Sequence, residues 1–400
     1  METTESSTTT SLFVTLPSTA TETPPFPVGF QCETTRDALL PTLTLMHGIA
    51  EKRSTLAILT HVYLEACPDG SLAMRATDLE MELQRSCQAT VATPGACTAD
   101  AQRLYDIMRT LPPGAVRLAA TGDGLTVMQD RRRFRLPTLA PHEFPQLTPV
   151  GTPAQAIVLR RQPFVEMIAR TIFADAPNPA YGGITGILWE PGEDESLRLV
   201  ASDGHRLAVA TQTMPGLPPG LRSFSMLPKG LAEIHRLLVR TGDETVTLAC
   251  SESVATLTVA PTTLSVRMIE STFPEYRAVI PKNPPLSMTC DPFELLNALR
   301  RLAILTTDRA RGMTWALTSG HLDLTVRTPE YGEGQEEVHV TYDGPAVTLG
   351  FNVRYLVDFV QAVETVAQLR LSLATPEHPV LFDVPTDPSY QYVVMPMRLS

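Results

Sequence analysis

The chain repeats itself three times. Arg103-Leu104-Tyr105-Asp106-Ile107-Met108 returns in character as Gly230-Leu231-Ala232-Glu233-Ile234-His235, and again as Arg354-Tyr355-Leu356-Val357-Asp358-Phe359. The acidic residue moves 127 positions from Asp106 to Glu233 and 125 from Glu233 to Asp358. A second marker, Leu72-Ala73-Met74-Arg75-Ala76-Thr77-Asp78-Leu79-Glu80, is echoed by Leu197-Arg198-Leu199-Val200-Ala201-Ser202-Asp203-Gly204-His205, with Asp78 and Asp203 125 apart. A third sets Glu143-Phe144-Pro145-Gln146 against Thr272-Phe273-Pro274-Glu275-Tyr276, 129 apart. A period of roughly 125 residues is that of an ordinary domain and too long for a solenoid repeat, so each copy should own a core.

Each copy reads in the same order: an early helix, strands, a second helix, further strands. The early helices are expected over Thr34–Ile49, Gln162–Phe173 and Pro292–Leu305, the second helices over Asp100–Leu111, Lys229–Arg240 and Val353–Val366. Phe164, Val165, Ile168, Ile172 and Phe173 recur at helical spacing. Asp291-Pro292 supplies a cap followed by proline at the first helical position, whereas Pro41 should shorten or kink the first helix. Leu197–Val200, Val246–Leu248 and Leu322–Val326 alternate as strands do, and Pro68-Asp69-Gly70 and Gly122-Asp123-Gly124 read as hairpin turns. Linkers are expected at Thr148–Pro153 and Pro281–Pro285, both rich in proline. The fold class is α+β, with two helices packed on antiparallel sheets in each copy. The boundaries are 29–150, 151–282 and 283–400, after a Thr/Ser/Pro-rich tail over 1–28 that buries too little apolar surface to fold.

No apolar run is long enough for a bilayer, and residues 1–28 have neither the basic start nor the apolar stretch of a secretory signal; a cytoplasmic protein is expected. Six cysteines fit no zinc or C-x-x-C pattern and read as reduced thiols. The histidines show no ligand spacing, and neither metal nor cofactor is expected. Net charge is −11, which taken whole disfavours nucleic acid. Its distribution does not: the stretches 35–53, 101–111, 160–173, 228–240, 293–302 and 354–364, which hold the six helices and their basic flanks, together carry +6, leaving −17 elsewhere. Basic helices sharing one face under an acidic exterior would attract phosphate. Arg170, Arg240 and Arg301 are DNA-facing candidates on this ground; solvated helix faces are the bland alternative.

Several motifs resemble the bacterial replicative sliding clamp, the β subunit of DNA polymerase III. They are Ala76–Glu82, Ala201–Val209, Phe273-Pro274-Glu275-Tyr276-Arg277, Pro281-Lys282-Asn283-Pro284, Gly350-Phe351-Asn352-Val353 and Tyr392–Leu399. The resemblance runs in order over about 29–399. It implies three repeated domains of the DNA-clamp fold and a head-to-tail homodimeric ring, joined domain one to domain three, around double-stranded DNA. It implies a processivity factor that tethers the polymerase and catalyses nothing. The implied partners are a clamp loader, the polymerase III α subunit and other polymerases, and repair proteins that dock through short Gln/Leu/Phe peptides. The implied peptide pocket comprises Ile184, Ser202, Gly204, His205, Arg206, Leu207, Pro274, Val279, Asn352, Tyr355, Pro379, Val393, Val394, Met395, Pro396, Met397 and Arg398, with Arg206 and Arg398 expected to hold peptide carbonyls or carboxylates. Arg53, Arg103 and Lys229 are the implied DNA-facing positions. Ala278, Ala310, Tyr181-Gly182-Gly183 and the terminal Ser400 depart from the family pattern. A specialised or duplicate clamp with altered partners, or one resisting a clamp-directed compound, is the alternative.

Other readings are weaker. Asp203 and His205 lack a nucleophile motif, so a turn outweighs a hydrolase. Asp78, Glu80 and Glu82 read as acids on the outer face of a strand rather than a metal site. Arg131-Arg132-Arg133 reads as a solvated hairpin.

Overall fold

The computed structural model describes residues 29–122, 124–147, 155–175, 184, 186–217, 221–251, 253–269, 273–307 and 310–398. The Thr-rich tail, the first linker, Tyr181-Gly182-Gly183, Asp123 and Ser400 lie outside them. The six helices among the described residues are α1 (Arg36–Ile49), α2 (Ala101–Thr110), α3 (Arg161–Ala169), α4 (Pro228–Arg240), α5 (Pro292–Ala303) and α6 (Val353–Ala362). They pack side by side as α1/α2, α3/α4 and α5/α6, which is the threefold repeat in three dimensions. Two compact units form: Met1–Ala156 with Thr247–Ser265, and Ile157–Val246 with Val266–Ser400.

In the first unit, strand Gly29–Thr35 pairs antiparallel with Ala115–Thr121, which continues through Gly124–Gln129 to the edge strand Arg132–Pro137. Strands His61–Ala66 and Ser71–Thr77 are joined at the expected Pro68-Asp69-Gly70 turn, where Asp69 accepts the Ser71 amide at 3.0 Å. Pro41 does not shorten α1, which runs 14 residues. Thr35 caps it by accepting from the Ala38 amide, and Leu39, Thr42, Leu43, Leu45, Met46 and Ile49 are buried, so packing sustains the helix through its proline. The remaining helices start within one residue of expectation, with Asp100 capping α2, Asp291 α5 and Asn352 α6, and they end within four residues of it, α3 and α6 falling four short.

The acid-rich segment at Asp78 corrects the strand expectation. Asp78 and Leu79 form a tight turn and the strand begins at Met81. The Thr77 hydroxyl donates to the Met81 carbonyl (2.7 Å) and accepts the Leu79 amide (3.0 Å), while Asp78 accepts the amides of Glu80 (3.0 Å) and Met81 (2.8 Å). In the second unit, 125 positions on, the Ser202 hydroxyl donates to the Arg206 carbonyl (2.8 Å) and accepts the Gly204 amide (3.2 Å). Asp203 accepts the amides of His205 (2.9 Å) and Arg206 (3.0 Å). The repeat is thus conserved bond for bond, including a left-handed residue at its tip, Leu79 (φ 74°) and Gly204 (φ 85°).

The second unit is built on two aromatic cores. Trp189 stacks on Phe224 and meets Phe164 edge-on (5.3 and 5.6 Å between centroids). Phe351, Phe359, Phe382, Trp315 and Tyr392 form the other, with Phe359 and Tyr392 parallel at 4.6 Å. The cores are joined by strand Arg206–Thr213, which pairs with Ser196–Ser202 on one side and with Asp387–Val394 on the other. Gly230 opens α4 against Val266 so closely that a Cβ would lie 2.3 Å from a valine methyl. The six cysteines are unpaired, and burial pushes the Cys32, Cys250 and Cys290 thiols up to about 12, which suppresses thiolate chemistry.

Candidate peptide groove and basic helices

The pairing Leu207↔Val393 brings two distant stretches of chain to one surface. Leu188, Val200, Leu207, Val209, Tyr276, Leu381 and Val393 form a buried floor with Phe273 and Ile280 packed on it. Over that floor lies a groove of about 320 Å³, rimmed by Ile184, Ser202, Gly204, His205, Pro274, Val279 and Met395. Met395 is 39% exposed and Val279 is exposed as well. Large apolar side chains held at the rim of an apolar groove mark a binding surface rather than a core. The main chain fixes the rim: the Met395 amide donates to the His205 carbonyl (2.8 Å) and the Met397 amide to the Gly350 carbonyl (2.7 Å).

Arg206 is the wall of the groove, and only 8% of it is exposed. Its Nε donates to Asp203 (3.1 Å), one terminal nitrogen to Asp358 (2.7 Å) and the other to the Phe173 carbonyl. The guanidinium also sits 4.4 Å over the Tyr355 ring. Burial alone would weaken its charge, but Tyr392, Asp358 and Asp203 hold it firmly cationic. The expectation that Arg206 grips peptide carboxylates is therefore revised: three of its five donors are committed within the protein. It braces the 203–206 turn against α6. Asp203, which caps that turn and pairs with Arg206, has the geometry of a structural residue rather than a partner for the His205 imidazole.

The opposite rim is held by Glu190, which accepts from the Tyr276 hydroxyl (2.7 Å) and Arg277 (2.5 Å) and lies 3.4 Å from Arg198. Burial would raise its carboxyl, but the Arg277 and Tyr276 hydrogen bonds hold it below the usual range. Phe273, Glu275 and Tyr276 also line the groove; sequence reasoning took only Pro274 from this stretch, although the whole Phe-Pro-Glu-Tyr motif carried the signal. Ala278 is exposed beside Val279.

Seven predicted pocket residues do not line this groove. Val394 is fully buried. Asn352 caps α6 by accepting the Arg354 amide (3.0 Å), and Tyr355 lies in the first turn of that helix under Arg206. A neighbouring cavity of about 380 Å³ is lined by α6 residues Val353, Arg354, Val357 and Asp358 and by Thr306, Thr307 and Arg311 across from them. Pro379, Pro396, Met397 and Arg398 flank strands Val380–Val384 and Asp387–Val394, with Met397 and Arg398 exposed.

The basic candidates divide into two groups. Arg53, Arg103, Lys229 and Arg240 are exposed on or beside α1, α2 and α4. Arg170 is held by Asp387 at 2.7 Å and lies over Tyr390, and Arg301 makes a two-pronged pair with Glu336 (2.5 and 2.7 Å), so both have an acidic partner within the chain.

A helix pair laid on antiparallel strands, used three times, with an apolar groove and exposed basic helices, is the DNA-clamp architecture. Family models for the DNA polymerase III beta subunit match throughout: the N-terminal domain over residues 29–148, the central domain over 158–275 and the C-terminal domain over 277–398. The chain is 35% identical to the beta sliding clamp of Caulobacter vibrioides over 370 residues, 91% of this chain and 98% of that one, and 34% identical to that of Escherichia coli over 370 residues with the same coverage. Among solved structures, the DNA polymerase sliding clamp of Caulobacter crescentus superposes with a TM-score of 0.84 at 33% identity, covering 92% of this chain and 100% of that one. The Pseudomonas aeruginosa sliding clamp bound to griselimycin does so at 0.84 and 32%, covering 93% and 100%. The chain belongs to the DNA polymerase III beta subunit family, the bacterial sliding clamps. It is a non-catalytic processivity factor that serves DNA replication with DNA and DNA polymerase as partners.

Proposed function

We propose that two copies of the chain close head to tail into a ring on duplex DNA, and that the groove around Met395 takes short apolar peptides from the proteins the ring carries. The groove supports this reading most: an apolar floor with an adaptable methionine rim suits several partners. The proposed occupants are Gln/Leu/Phe segments of the clamp loader, the polymerase α subunit, other polymerases and repair proteins. Arg53, Arg103, Lys229 and Arg240 are the proposed phosphate contacts. Phosphate contacts carry no sequence information and leave a ring free to slide. The cytoplasm is the proposed compartment.

Two strands with exposed charged side chains suit the seam. Edge strand Arg132–Pro137 presents Arg132, Arg133 and Arg135 with Phe134, and strand Gly332–Thr341, which pairs with His321–Thr328 and meets Leu286–Cys290 only at Val340 and Thr341, presents Glu333 and Glu336; Ile304, at the end of α5, is 76% exposed. Opposite charges flanking apolar side chains give a heterologous interface that can close a ring. Loading the protein onto nicked circular DNA and gel-filtering before and after linearisation tests the ring. Retention on circles and loss from linear DNA is expected; equal loss from both overturns it. Phe134→Asp should yield monomers by sedimentation, and an unchanged dimer would refute the seam.

A further inference from the structure

Strands His321–Thr328 and Gly332–Thr341 carry a side-chain cluster that the groove, the basic helices and the seam do not use. His321 stands directly opposite His339, and Asp323 opposite Glu337, in antiparallel register. Leu322, Leu324, Val338 and Val340 are buried on the core face, so strand alternation turns His321, Glu337 and His339 to the other face, where all three are exposed. Their ligating atoms lie within 4.8 Å of one another. His321 Nδ1 is 3.3 Å from Glu337 Oε1, and the two imidazole centroids are 5.6 Å apart.

We propose that His321, Glu337 and His339 form a surface site for a borderline divalent transition ion such as Zn²⁺. The donor set selects the class of ion: two imidazole nitrogens and one carboxylate oxygen suit Zn²⁺, Co²⁺ or Ni²⁺, whereas Mg²⁺ and Ca²⁺ require oxygen donors. Metal–ligand bonds of about 2.0–2.2 Å place tetrahedral donor atoms roughly 3.3–3.6 Å apart. The His321–Glu337 pair already meets that spacing, and His339 reaches it by side-chain rotation. The backbone need not move, because the ladder fixes all three Cα positions. Three protein ligands leave further coordination positions open to water, and Asp323 on the same face adds negative charge beside the ion. A bound ion would cross-link the two strands, one of which carries the acidic residues of the proposed seam.

The test uses the full, untagged chain stripped with chelator, titrated with Co²⁺ by visible absorption and with Zn²⁺ by calorimetry. One ion per chain is expected. His321→Ala and His339→Ala should each weaken binding by about tenfold or more, Glu337→Gln should weaken it less, and His47→Ala should leave it unchanged. Matching circular-dichroism spectra establish that the variants fold; if an alanine variant does not, His339→Gln replaces it. Absence of Co²⁺ and Zn²⁺ binding at millimolar ion overturns the site, and so does undiminished binding by the double variant His321→Ala/His339→Ala.

Discussion

Replacing Arg206 by methionine tests whether the buried guanidinium holds the groove wall to α6. Methionine is the residue at the equivalent position of the first repeat, Met81, where the same turn forms around an apolar side chain. The substitution removes the guanidinium donors to Asp358, Asp203 and the Phe173 carbonyl. Breaking a buried ion pair from one side costs about 3–5 kcal/mol. Here Asp358 retains 30% side-chain exposure and Asp203 keeps two backbone amides, so about 2–3 kcal/mol is expected. Loss of the contact over Tyr355 accounts for roughly 0.5–1 kcal/mol of that. The assay is urea denaturation of Arg206→Met, Asp358→Asn and the double variant as a cycle, with amide exchange at Met395 reporting the rim locally. The double variant should recover about 1 kcal/mol relative to Arg206→Met, because no orphan carboxylate remains at position 358. A loss below about 0.5 kcal/mol for Arg206→Met, or zero coupling in the cycle, would refute the bracing role.

Three further outcomes follow from the geometry. Gly204→Ala meets no atom within 4 Å but forces alanine to φ 85°, so it should cost about 1 kcal/mol in thermal or urea unfolding, whereas Gly230→Ala, aimed into Val266, should cost roughly 1–3 kcal/mol. Met395→Ala and Val279→Ala should each weaken an apolar groove-binding peptide by about tenfold in fluorescence anisotropy, the equivalent of about 1.4 kcal/mol of lost contact; unchanged affinity would remove the groove from partner binding. The Glu190 carboxyl is held below its ordinary value by Arg277 and Tyr276, so its stabilisation is present above the unfolded value of about 4.3 and lost as pH falls through the folded value. Glu190→Gln should therefore lower stability at pH 7 and flatten the acid limb of the stability–pH curve, and an unchanged limb would show that Glu190 makes no net contribution.

The sequence by itself determined what local rules and repetition can carry. Period and helical spacing located the six helices, caps such as Asp291-Pro292 marked starts, and the Thr77-Asp78 and Ser202-Asp203 echoes are the same turn hydrogen bond for hydrogen bond. The family was legible for the same reason, since its motifs are short contiguous stretches. Local rules failed where packing outvoted them: Pro41 lies inside a 14-residue helix because its buried face sustains it, and Asp78 and Glu80 sit in a turn, with only Glu82 on the strand, because the Thr77 hydroxyl and the Asp78 carboxylate accept the turn's amides. Tertiary structure alone decided what each charge does. Arg206 looked like a peptide ligand and is committed to Asp358, 152 positions away, and to Phe173. Arg170 looked like a phosphate contact and is held by Asp387, 217 positions away. The groove exists because Leu207 pairs with Val393 across a strand ladder, and no spacing along the chain encodes such a contact. A side chain's type says which bonds it can make, and only the fold says which partners arrive within reach.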